Sequence, residues 1–345
     1  MLDAKPIIGI SMGDPAGIGP EIIAKALARG VIHERCIPVV IGDADVMRKA
    51  VQYARVRLEV LPIYDMRDRC TTPGVMDVFD LNCVDIDRLE LGKVSAMAGE
   101  AAFKSVENLI HFAMHGGVDA TVTAPIHKEA LVMAGHHFPG HTEIYAHFTG
   151  TSDFTMMLAA GNFRVVHVST HVSLRQACDA VTRDRVLKVI ELAHNGCRQL
   201  GIARPKIGVA GLNPHASDGG LFGSEERDHI IPAIEAACAK GLDVEGPQPP
   251  DTFFAKAVSG AYDICVAMYH DQGHIPVKVK GFKYDPVQRV WESVNGINVS
   301  LGMPIIRASV DHGTAFDQAG KGTASDASLL DAIEYAARLA VNRGS

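Results

Sequence analysis

Three histidines stand directly behind short apolar runs: His171 after 165–169, His215 after 207–211 and His270 after 264–268. Three imidazoles that leave coordination positions open make a divalent-metal centre able to polarise a hydroxyl or carbonyl oxygen. Taken singly, each histidine is equally a hydrogen-bonded structural residue, and their shared position is what groups them. Asp271 follows His270, and Asp251 stands in Pro249-Pro250-Asp251-Thr252. Both are candidate acid/base or metal-supporting carboxylates, and Asp251 also suits a turn or a helix cap. Gly273 reads as a turn after His270-Asp271-Gln272. Lys278 and Arg307 are cations suited to a phosphate or carboxylate, or else solvated. His141 and Thr142 adjoin the turn Pro139-Gly140. Residues 213–220 either cradle a phosphate through backbone amides or turn the chain before a helix capped by Ser224.

Regular elements must carry these loops. Runs at 7–11, 37–41, 56–63, 120–123, 155–160, 165–169, 207–211 and 264–268 are rich in Val and Ile and apolar on both faces, as in strands covered by helices. Amphipathic stretches at about 20–29, 98–115, 127–134, 184–200, 226–240 and 326–342 read as helices. Their alternation predicts an α/β fold with a largely parallel sheet. Residues 245–250, rich in Pro and Gly, read as a stiff loop. Ligands of open α/β sheets bind at the carboxyl ends of strands, so His171, His215, His270 and Asp271 are expected on one rim.

Composition narrows the function. The chain has 345 residues, enough for two domains, with 47% hydrophobic and 21% charged residues, as in an ordinary globular protein. A net charge of −7 without basic runs argues against a nucleic-acid partner. No apolar stretch nears the roughly 20 residues of a membrane span. The start lacks the basic residues and long apolar core of a signal peptide. The 7 cysteines are widely spaced with no Cys-x-x-Cys pair, which suits a reducing cytoplasm.

The glycine-rich Gly13-Asp14-Pro15-Ala16-Gly17-Ile18-Gly19-Pro20-Glu21 is neither a Rossmann nor a P-loop fingerprint. A nicotinamide cofactor, if the chain uses one, must bind in another way. Residues 309–322 resemble the loop that holds the adenosine half of the cofactor in the isocitrate and isopropylmalate dehydrogenases. That resemblance assigns His312, Gly313, Thr314, Asp317 and Gly320 to NAD or NADP.

Taken together, the motifs resemble the family of 4-hydroxythreonine-4-phosphate dehydrogenase, the PdxA family. The likeness covers nearly the whole chain, through Thr123-Ala124-Pro125-Ile126-His127-Lys128, Pro139-Gly140-His141-Thr142, Asn213-Pro214-His215-Ala216, Tyr269-His270-Asp271-Gln272-Gly273, Asn298 to Arg307 and Ser309-Val310-Asp311-His312-Gly313-Thr314-Ala315. It implies an isocitrate/isopropylmalate dehydrogenase-like fold of two α/β domains flanking a cleft, with 1–132 plus 300–345 in the first and 133–299 in the second. It implies His171, His215 and His270 as ligands of a divalent metal (Zn, Mg or Co), and His141, Thr142, Lys278, Asn298 and Arg307 as substrate contacts. It also implies a homodimer with the metal site completed across the subunit interface. The reaction would be NAD(P)-dependent oxidation at C3 of a 4-phosphorylated 3-hydroxy acid, followed by loss of CO2. Lys278 would be either a proton donor or a phosphate partner, with Asp271 and Asp251 beside it.

Two departures refine the expectation. His274-Ile275 stands where the vitamin B6 enzyme typically has Leu-Pro, and looks more like the branch acting on 4-phospho-D-threonate or 4-phospho-D-erythronate. An insertion at 283–295 holds Trp291, the single Trp, and is either a surface elaboration or a flap that alters substrate choice. The alternatives are a dehydrogenase of a non-phosphorylated substrate such as a cis-dihydrodiol, and a non-catalytic binding protein on the same scaffold.

Overall fold

The computed structural model describes residues 5–286, 290–294 and 296–343. They form two compact units, Met1–Ser152 with Met303–Ser345, and Asp153–Gly302. The expected boundary at 132 differs from the observed one because the helix His141–Thr149 joins the first unit. Its Ile144 and Tyr145 are buried against Phe103, Val106 and Ile110.

In the first unit, parallel strands lie in the order Glu59–Ile63, Val75–Asp80, Ile37–Gly42, Ile7–Ser11, Ala120–Thr123 and Arg307–Val310. Ser11 is in register with Thr123, and Thr123 with Ser309. Three strands thus end level, and the loops beginning at 12, 124 and 311 leave from one edge. The helix Ala96–Met114 covers this sheet, capped by the Ser95 hydroxyl, which accepts from the Ala98 amide. Gly99 within it has no room for a side chain, since a Cβ would lie 2.0 Å from the Ala130 carbonyl oxygen. The helix Lys128–Met133 is therefore seated directly on the longer one.

In the second unit the order is Ile297–Leu301, Thr155–Ala160, Phe163–His167, Ile264–Ala267, Lys206–Ala210 and Asp243–Gln248. The first three pair antiparallel and the remainder parallel. His167 is level with Ala267, so the loops carrying His171 and His270 emerge side by side. The helix Arg183–Gln199, expected at about 184–200, turns Val186, Val189, Ile190, Ala193 and Cys197 inward.

Two local expectations are corrected. Residues 245–250 are not a loop throughout, because Asp243–Gln248 is an edge strand. Gly273 is not a turn: His270–Gly281 is a helix containing both Gly273 and Pro276. Gly273 is required there by packing, as a Cβ would stand 2.3 Å from His167 Nε2. Within the insertion, Phe282–Asp285 and Val290–Val294 pair as an antiparallel hairpin. Residues 287–289 and 295, and the side chains of 290–294 with Trp291 among them, lie outside the described residues.

Candidate active site

The first unit builds a cluster around Arg307, which opens its strand and is buried. Its guanidinium donates to Thr142 Oγ1 at 3.3 Å and to Thr123 Oγ1 at 3.2 Å, and lies 5.4 Å from the Tyr145 ring centre. Burial pushes the Arg307 pKa down to about 10 and the Tyr145 phenol up to about 12. Tyr145 in turn donates to Thr121 Oγ1 at 3.0 Å. His141, beside Thr142 in the first helical turn, is held neutral: burial, then the Arg307 charge, puts its pKa well below the ordinary value. Its bond to the Ala124 backbone leaves Nε2 buried without a partner. An unpaired buried nitrogen beside a buried cation is a site waiting for a polar ligand. Of the expected substrate residues, the structure thus brings His141, Thr142 and Arg307 together.

The loop expected to hold the cofactor is firmly anchored in the same unit. The Thr314 carbonyl accepts from the Ile18 amide at 3.0 Å. Phe316 stacks on His127 at 4.7 Å and 16°. Buried Glu21 accepts from the Gly322 and Ala324 amides at 3.1 and 2.8 Å, while Lys25 donates to the carbonyls of the same two residues at 2.9 and 2.6 Å. Glu21 and Lys25 also pair with each other at 2.9 Å. His312 and His141 both line a cavity of about 140 Å³. Gly313 leaves open space around it, and Gly320 turns with φ +74°. Asp317 accepts from the neighbouring Gln318 amide at 2.8 Å.

In the second unit the rings of His171 and His270 lie 5.8 Å apart. Asp271 Oδ1 stands 2.7 Å from His270 Nδ1, an arrangement that leaves Nε2 of His270 for a ligand. His215 Nδ1 stands 3.7 Å from Asp251 Oδ2, and Asp251 lies in the first turn of the helix Pro250–Val258. Among the described residues, no three His, Cys, Asp or Glu side chains gather closely enough to hold a metal ion. The structure brings His171 beside His270, and His215 near Asp251. Two imidazoles, one oriented by a carboxylate, nevertheless suit a borderline divalent cation. Lys278 lies 4.7 Å from the Phe282 ring centre, and the Asn298 amide nitrogen donates to Met156 Sδ.

Residues 213–220, read as a phosphate cradle or as a turn before a helix, begin beside the Glu226 carboxylate, which accepts from the amides of Leu212 and Asn213 at 2.7 and 2.8 Å. Four successive non-glycine residues, His215 to Asp218, have φ between 46° and 70°. Such conformations cost of order 1–3 kcal/mol each and cluster at functional sites.

From sequence His274 was marked only as a sign of the substrate branch, and His167 and Asp14 were not singled out as site residues. His274 stacks on His270, and His167 lies behind it at 4.7 Å. Burial, chiefly, lowers their pKa values to about 4 and about 3. The four-residue spacing of His270 and His274 would have shown a shared face had the segment been read as helix. Asp14 is also fully buried; burial raises its pKa to about 6, and Oδ2 has no partner.

Comparison with known proteins matches this arrangement to recorded chains. Residues 34–336 match the family described as pyridoxal phosphate biosynthetic protein PdxA. The chain is 46% identical over 344 residues to the D-threonate 4-phosphate dehydrogenase of Cupriavidus necator, covering 99% of this chain and 100% of that one. A solved 4-hydroxythreonine-4-phosphate dehydrogenase from Klebsiella pneumoniae superposes with a TM-score of 0.85 at 43% identity, covering 97% of this chain and 100% of the other. A terephthalate 1,2-cis-dihydrodiol dehydrogenase from Burkholderia xenovorans gives a TM-score of 0.68 at 31% identity, with 97% and 98% covered. The α/β fold and the family resemblance read from the sequence are borne out.

Proposed function

The chain belongs to the PdxA family, and on that footing we propose that it oxidises the C3 hydroxyl of 4-phospho-D-threonate or 4-phospho-D-erythronate, with loss of CO2. It is an enzyme of the secondary-alcohol dehydrogenase type. The carrying observation is the buried Arg307 held on Thr142 and Thr123, with the unpaired Nε2 of His141 alongside. A buried guanidinium held on threonine hydroxyls suits an anionic ligand. A phosphate supplies one, and the 46% identity to a D-threonate 4-phosphate dehydrogenase supports the threonate branch over 4-phosphohydroxythreonine.

On this reading Arg307 and Thr142 fix the phosphate, with His141, Lys278 and Asn298 as further substrate contacts. A divalent cation, when bound, supplies Lewis-acid polarisation of the substrate hydroxyl, and NAD or NADP accepts the hydride. His171 and His270 would hold the cation, with Asp271 orienting His270. Asp251 Oδ2 lies 3.7 Å from Nδ1 of His215, beyond hydrogen-bond reach. Lys278 is the candidate proton donor to the carbon that loses CO2. The residues from His312 to Gly320 would hold the cofactor's adenosine end.

A homodimer completes the proposal. His215 is exposed, and among the described residues no three metal-capable side chains gather, which suits a ligand set shared between subunits. Ile275 and Val279 are 59% and 77% exposed on one face of their helix, and Leu221 and Phe222 are exposed in the loop after His215. Such apolar exposure suits a partner surface. All seven cysteines are free, which supports a cytoplasmic assignment.

The test is an NADH- and NADPH-release screen with 4-phosphothreonate, 4-phosphoerythronate, 4-phosphohydroxythreonine and a cis-dihydrodiol. Turnover of a phosphorylated acid that disappears on chelation is expected. Turnover of the cis-dihydrodiol alone, or binding without turnover, would overturn the reading.

A further inference from the structure

Thr123 and Lys128 bracket a short segment that joins the Arg307 cluster to a cavity. Thr123 Oγ1 takes the Arg307 guanidinium at 3.2 Å. His127 is held by its stack on Phe316. The following helix is pressed onto Gly99 so closely that no Cβ fits. The backbone at Lys128 is thus fixed from both sides, while its side chain is exposed and makes no ion pair or hydrogen bond among the described residues. Lys128 lines the cavity of about 140 Å³ together with His141 and His312.

We propose that Lys128 is an anion-binding residue of this cavity, and that its ligand is an oxyanion flanked by a hydroxyl. The ammonium supplies the charge for the oxyanion. His141, neutral and already donating to the Ala124 backbone, offers Nε2 only as an acceptor, which a neighbouring hydroxyl fills. Two ligands carry that pairing: the phosphorylated hydroxy acid, and the ribose–pyrophosphate part of the nicotinamide cofactor. The inference rests on the proposed reading for the identity of these molecules, but not for the existence of the cation in the cavity.

The experiment compares Lys128→Met and Lys128→Arg with the wild type, each purified with its divalent metal. Dissociation constants for NAD+ and NADP+ are measured by calorimetry without substrate. The Michaelis constant for the substrate is then measured with 4-phospho-D-threonate at saturating cofactor. An exposed side chain leaves the melting temperature unchanged. Lys128→Met is expected to weaken one of the two ligands about ten- to hundred-fold, and Lys128→Arg to restore it to within a few-fold. A change in the cofactor constant alone assigns the pyrophosphate, and a change in the Michaelis constant alone assigns the substrate. If all constants stay within twofold, Lys128 binds no anion and the inference is overturned. A wild type that oxidises no phosphorylated acid defeats the proposed substrate instead, and the cofactor titration then decides Lys128 by itself.

Discussion

The imidazole of His274 lies flat against that of His270, with ring centres 3.6 Å apart and planes 12° from parallel. His274 Nδ1 also donates to the His270 backbone carbonyl at 3.0 Å, so ring and backbone are braced by one side chain. Behind it, fully buried His167 is fixed by the Met156 carbonyl at 3.3 Å from Nδ1. A ligand imidazole held in one rotamer loses less entropy on coordinating a cation.

His274→Ala should therefore weaken metal binding about 10- to 100-fold, the range found when the groups orienting a ligand are removed. His274→Phe keeps a flat ring and should recover most of the affinity. Competition of Co2+ or Zn2+ against a chromogenic chelator reads this without reference to turnover. Equal affinities for His274→Ala and the wild type would show that the stacked ring braces nothing.

The neighbouring glycine makes a sharper stability test. A Cβ on residue 273 meets His167 Nε2 at 2.3 Å and Val165 Cγ1 at 2.8 Å, both in the packed interior. Gly273→Ala should cost about 1–3 kcal/mol by overpacking. The helical gain of alanine over glycine, about 1 kcal/mol, offsets it only in part. Urea denaturation decides the sign, and a variant as stable as the wild type would mean that His167 has room to move.

Glu21 and Lys25 clasp the far end of the loop proposed to hold the cofactor. Removing Glu21 leaves the Gly322 and Ala324 amides unpaired and takes the counter-charge from Lys25. Breaking a buried pair from one side costs about 3–5 kcal/mol. Glu21→Ala is expected to lose stability on that scale, to speed amide exchange at 318–324, and to raise the cofactor KM more than it lowers kcat. Exchange confined to its wild-type rate would show that the loop holds itself.

These residues also show where sequence reading stops. The strands ending at Ser11, Thr123, His167 and Ala267 were legible because apolar runs of Val and Ile stop at polar, Gly- or Pro-bearing loops, and the loop chemistry followed. The helix at 270–281 was not legible, because Gly273 and Pro276 are local turn signals and only the approach of His167 explains the glycine. The strand Arg307–Val310 was hidden by its charged first residue, whose burial depends on Thr123 and Thr142, far away in the chain. The left-handed run from His215 to Asp218 was not legible, because Ala216 and Ser217 within it do not favour that conformation.

His141 yields a prediction about protons. In the free protein, burial and the Arg307 charge hold its pKa well below 6.5, so it is neutral at pH 7. The charged and titratable groups around it are Arg307, Lys128 and His312, together with Glu143 in its own helical turn. A phosphate dianion placed beside Arg307 brings negative charge to Nε2 and raises the proton affinity of the complex. The phosphate itself, with a second pKa of about 6, can carry that proton to the same nitrogen. Either way the complex holds more protons than its separated parts, so affinity for the phosphorylated acid falls as pH rises through the pKa of the bound state. Asp14, with a pKa of about 6, titrates in the same unit and must be told apart from it. Calorimetry at pH 7 in buffers of different ionisation enthalpy should show net proton uptake by the wild type and much less by His141→Gln, which retains hydrogen-bonding capacity but cannot be protonated. Uptake unchanged in His141→Gln would move the proton to Asp14 and leave His141 a plain hydrogen-bond acceptor.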